Sequence, residues 1–138
     1  MAADQQNVTR LSALESTDGL NIENVAVVTL ATASAVTYTG LQIISGLILR
    51  DTAGAARADL FPTAVEIFAA LNHPTVGASF DIHIRNTSSA ANTITMTTNT
   101  GLTLSGVMTI AQNNAKSFKV VVTSPTAVTI YSLGTVVF

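Results

Sequence analysis

The chain has 138 residues at 14.3 kDa, 48% of them apolar and 10% charged, with a net charge of −2; this suits one compact domain and is too short for a two-domain enzyme. Its six basic residues, at positions 10, 50, 57, 85, 116 and 119, form no basic run, so nucleic acid is excluded as the expected partner, and the lack of cysteine excludes disulfides and thiolate chemistry. Polarity resides in 32 Thr and Ser hydroxyls, whereas an ordinary soluble domain is about one quarter charged, so much of the surface is expected to be covered.

Residues 1–24 are mostly polar and read as an extended N-terminal arm carrying Asp4, Arg10, Glu15, Asp18 and Glu23. Its apolar anchors include Leu11, Leu14, Leu20 and Ile22; Leu11 and Leu14 stand three apart, the spacing of one helical turn. An arm of this kind either remains a disordered leader or orders against a neighbouring subunit. It has no positive region followed by an apolar one, so no secretory signal is expected. The stretch from Val25 to Val36 is broken by Thr29, Thr32 and Ser34 and falls short of the ~20 apolar residues a membrane helix needs. No membrane partner is expected.

From Val25 onward, short runs of Val, Ile and Thr are separated by Gly, Asn, Ser and Pro, the pattern of many short strands. Residues 25–138 are therefore expected to form one all-β domain, an antiparallel β-sandwich or jelly-roll-like barrel. Expected strands include Val25–Ala31, Val36–Tyr38, Gln42–Arg50, Ser79–Arg85, Thr93–Thr98, Val107–Ala111, Ser117–Val122, Ala127–Leu133 and Thr135–Val137. Alternation is strictest in Ser79–Arg85, where Phe80, Ile82 and Ile84 share one face and Asp81, His83 and Arg85 the other. One short α-helix interrupts the series at about residues 62–71: Pro62 fixes its start, Thr63 and Glu66 have capping-box spacing, and Asn72-His73-Pro74 ends it. Asp51–Asp59 is the longest expected loop, a contact loop with Asp51, Arg57 and Asp59 as its charged residues and Arg50 at its border.

No phosphate loop, dinucleotide fingerprint, zincin motif or nucleophile elbow occurs, so no cofactor is expected. With two His and no Cys, no metal-ligand spacing is present either. The nearest approach to a catalytic set is Asp81 with His83, two residues apart on one strand face and so roughly 6.6–6.8 Å apart along it. The plainer reading is a charged row, Asp81, His83 and Arg85, that pairs with a neighbouring strand or across a subunit boundary. Lys116 and Lys119 are the only charges after Arg85, and are expected to guard an exposed strand edge against aggregation.

The runs Gly46–Asp51, Asp59–Ala64, Phe80–Thr87, Gly101–Gly106 and Tyr131–Val136 together resemble the small β-rich capsid decoration, or cement, proteins of tailed bacteriophages, over roughly residues 42–138. The resemblance implies a non-enzymatic homotrimer on the outer surface of the virion, assembled in the host cytoplasm and bridging neighbouring major capsid protein subunits. The candidate subunit and capsid contacts are Leu11, Leu14, Leu20 and Ile22 of the arm, Arg50, Asp51, Arg57 and Asp59 of the loop, and Asp81, His83 and Arg85 of the strand row. The alternative is a tail, fibre or head-fibre module binding host-surface glycans, with Tyr38 and Tyr131 as its available tyrosines.

Overall fold

The computed structural model describes residues 26–138, which form nine strands and two short helices. The arm residues Leu11, Leu14, Leu20 and Ile22 lie outside the described residues. In chain order the elements are β1 (Val28–Ala31), α1 (Gly40–Ile44), β2 (Leu47–Asp51), β3 (Arg57–Leu60), α2 (Ala64–Ala70), β4 (Ser79–Asn86), β5 (Ile94–Thr97), β6 (Leu102–Ser105), β7 (Thr109–Ile110), β8 (Asn114–Ser124) and β9 (Ala127–Val137).

Six strands make one sheet in the order β1-β2-β4-β8-β9-β6, and three make a second in the order β3-β5-β7. Both sheets are mixed, which corrects the expectation of antiparallel pairing throughout. β1, β2 and β4 run parallel, β6 is parallel to β9 and β3 to β5, while β4-β8, β8-β9 and β5-β7 are antiparallel. Parallel neighbours cannot be joined by a tight turn, so the chain between β1 and β2 must cross over. α1 lies in that crossover, in a stretch where an unbroken strand Gln42–Arg50 was expected. The helix forms because Thr39 and Gln42 make a capping box, the Thr39 hydroxyl accepting from Gln42 N and the Gln42 side chain accepting from Thr39 N.

The helix expected near residues 62–71 is α2. Thr63 caps it, with Glu66 Oε2 accepting from Thr63 N at 2.7 Å, and Asn72 and His73 end it in left-handed backbone. Val36–Tyr38 provides an isolated bridge, Thr37 to Leu60, in place of a strand. Conversely, β3 occupies part of the expected Asp51–Asp59 loop, and the two C-terminal strands expected separately are the single strand β9, bulged near Ser132–Gly134.

One face of the large sheet carries Ile48, Ile82, Ile84, Phe118, Val120, Val122, Val128 and Ile130, all buried. Ile94 and Met96 of β5, Ile110 of β7, Ile43 of α1 and Ile67 of α2 complete this core. Phe61, just before α2, meets Phe118 of the large sheet edge to face, with centroids 5.7 Å apart. The helices and small sheet thus cover one side of the large sheet. Its other side faces outward.

Candidate interaction surface

Strand alternation decides what stands on the outward side. Because Ile82 and Ile84 point into the core, Asp81, His83 and Arg85 of β4 must point away from it, and all three are exposed. Antiparallel register sets Asp81 opposite Lys119, His83 opposite Ser117 and Arg85 opposite Ala115 of β8. Lys119 Nζ lies 3.0 Å from Asp81 Oδ1, and His83 Nδ1 lies 2.8 Å from Ser117 Oγ. The Arg85 guanidinium sits over the Phe138 ring, 3.4 Å from its centroid. Each member of the expected charged row is thereby engaged within the chain.

This face borders an open cleft of about 880 Å³ lined by Val27, Ile44, Leu47, Phe80, Asp81 and His83, among others. His83 and Ser117 place an imidazole and a hydroxyl within hydrogen-bond reach, the first requirement for nucleophilic catalysis. A base of that kind is ordinarily oriented by a third group; here the nearby carboxylate, Asp81, is directed to Lys119. Among the described residues, no group of three or more His, Asp and Glu side chains gathers as a metal cage, and no helix is long and apolar enough to cross a membrane.

The contact loop expected from sequence divides in two. Asp51 is half-buried, with Oδ1 accepting from Ala53 N, and Arg57 is half-buried with its Nε enclosed and unpartnered. Arg50 and Asp59 are wholly buried, which corrects their expected place on a contact surface. Arg50 Nε donates to Asp59 Oδ2 at 2.7 Å and Nη2 to Asp59 Oδ1 at 3.2 Å. Tyr38 donates its hydroxyl to Asp59 Oδ2, and Val36 N donates to Oδ1. The remaining guanidinium donors reach the carbonyls of Thr32, Ser34 and Asp51. Burial, reinforced by the Asp59 charge, pushes the Tyr38 phenol far above its ordinary range. Burial also opposes the Arg50 charge, but the Asp59 hydrogen bonds and carboxylate outweigh it and hold the guanidinium above its usual value. These charges join the two sheets internally.

Lys116, expected to guard an exposed edge, is also turned inward. β8 lies between β4 and β9, and Lys116 is only 4% exposed, with Nζ donating to the Val107 carbonyl at 2.8 Å. Besides the terminal strands β1 and β6, the large sheet has a bare edge on β9. β6 pairs with Val128–Tyr131 of β9 and stops there, so the outer ladder edge of the rest of β9, from Ser132 on, has no partner strand. Leu133, Val136, Val137 and Phe138 are exposed there, with Tyr131 and Val107 beside them. Residues 120–138 contain no charged side chain.

Comparison of the chain with protein-family models, with curated proteins and with solved structures finds no match.

Proposed function

We propose that this is a structural virion protein that sits as a homotrimer on the outer surface of a phage capsid and cements neighbouring major capsid protein subunits. The observation that carries the reading is the outward side of the large sheet: its ionic side chains are each engaged within the chain, Asp81 with Lys119, His83 with Ser117 and Arg85 with Phe138, while an uncharged apolar strand end beside them is bare. Such a surface suits coverage by protein more than turnover of a substrate. The two sheets around one core are read as the layers of a β-sandwich, and the resemblance to decoration proteins supplies the identity of the partner.

The mechanism is differential binding. A protein that binds the expanded lattice and not the immature one stabilises the expanded state by about 2.7 kcal/mol per site at a hundredfold excess over Kd. Repeated over a shell, modest contacts resist internal pressure. The glycan-binding alternative loses one of its two tyrosines, since Tyr38 is buried and only Tyr131 is exposed. Stoichiometry and position in purified particles test the reading: many copies at local three-fold positions are expected, and a few copies confined to a tail or one vertex would overturn it.

A further inference from the structure

We infer that the C-terminal half of β9, Ser132–Val137 with Phe138 and the neighbouring Val107, is the surface through which copies of this chain associate. This rests on the trimeric reading above and assigns its subunit contact. The strand is bare in three directions. Its outer edge has unpaired backbone donors and acceptors, because β6 ends at the level of Tyr131. Register sets Val136 opposite Ala115, and Phe138 under Arg85, on the outward side of the sheet; alternation sends Val137 to the reverse side. Leu133 occupies the bulge between them. Leu133, Val136 and Val137 are 62%, 64% and 75% exposed, Phe138 46% and Val107 65%.

The charge pattern agrees with a second copy as the occupant. Edges that must remain in water are blunted by lysines or other charges. Here the lysines of β8 are engaged away from the C-terminal half of β9, Lys116 buried on the Val107 carbonyl and Lys119, still 40% exposed, on Asp81. A strand with no charged side chain of its own meets its counterpart without like-charge repulsion along its length; the Arg85 guanidinium over Phe138 is the charge beside it on the outward side. At these exposures the apolar side chains offer on the order of 500 Å² per copy; a ring of three shares this between two neighbours, so each contact must also draw on the bare backbone edge and the flanking polar residues to reach the ~1,000 Å² of a specific interface. A two-fold pair would cover the edge but leave one face of the strand wet. Convergence around a closed three-fold ring covers both faces, each by a different neighbour.

The test is the solution mass of the full chain by sedimentation across micromolar concentrations, for wild type and for Val136→Lys, Val137→Lys and Val65→Lys. Val65 is equally exposed but lies on α2, away from β9. Wild type and Val65→Lys are expected to run as trimers; each β9 variant is expected to dissociate at a concentration at least tenfold higher, with its circular dichroism unchanged. A monomeric wild type would overturn the inference, as would β9 variants that assemble like wild type. Dissociation on deleting residues 1–24 with the β9 variants intact would overturn it in favour of the arm. Particle binding, measured separately, distinguishes the two readings: a monomer that still decorates capsids sinks this surface and the trimer but leaves capsid binding standing, and a β9-dependent trimer that binds no capsid sinks the capsid reading alone.

Discussion

Arg50 of the large sheet and Asp59 of the small sheet form an ion pair at 2.7 Å with neither side chain exposed to solvent. Because Asp59 also accepts from Tyr38 and Val36 N, and Arg50 also donates to Thr32 and Ser34, one charged pair fixes the linker after β1 against both sheets. Removing one partner leaves the other buried and uncompensated. Asp59→Ala is expected to cost about 3–5 kcal/mol in urea unfolding, and the double variant with Arg50→Met less than the sum of the two single losses.

Gly40 carries a separate packing constraint. A Cβ there would collide with the Glu66 carbonyl and the Ala70 side chain, so α1 rests directly on the backbone of α2. Gly40→Ala should destabilise by ~1–3 kcal/mol through overpacking. Val65→Ala, at an exposed position of α2, is the control, and denaturant midpoints should separate the two.

Acid should loosen the start of α2. Hydrogen bonds from the Thr63 backbone N–H and then its hydroxyl hold the Glu66 carboxyl below its ordinary value. A carboxyl depressed in the folded state contributes stability above the ordinary carboxylate range and loses it as pH falls through the depressed value. Melting temperature against pH should therefore fall less steeply in acid for Glu66→Gln than for wild type. Thr63→Ala, which removes the cap, should cost ~1 kcal/mol at neutral pH.

Lys116 gives the opposite limb. Burial lowers its ammonium pKa, so the folded state releases this proton before the unfolded chain does. Between the lowered value and the ordinary lysine range the unfolded state binds more protons, and this group's contribution to stability rises with pH across that window. Lys116→Met should remove that rise. Unfolding free energies of both proteins from neutral pH to pH 10 would check it, and a rise of equal size in the variant would contradict the assignment.

Local chemistry was legible where a short pattern is sufficient. The alternation of Phe80–Arg85 reappears as an outward row and a buried row on β4, and the Thr63–Glu66 box begins α2. The Thr39–Gln42 box was equally present, but the apolar run Leu41, Ile43 and Ile44 beside it has the composition of a strand. The Arg50–Asp59 pair was misplaced because charge suggested surface. Alternation held the contrary signal, since Ile48 and Arg50 lie two apart and share the inward face. Parallel pairing had no local sign at all, because Thr29 meets Leu49 and Asp59 meets Met96 across long intervening segments.

Those distant pairings govern how the protein comes into being. Among the neighbouring strands of the large sheet, only β8 and β9 are joined by a tight turn; Ile48, Ile84 and their parallel partners must await Phe118 and Ile130 before their buried side is complete. Long-range topologies of this kind fold on the order of milliseconds to seconds. During synthesis on a ribosome the first half of the chain therefore remains an open set of strands, and the late-emerging β8–β9 hairpin is the element that closes it.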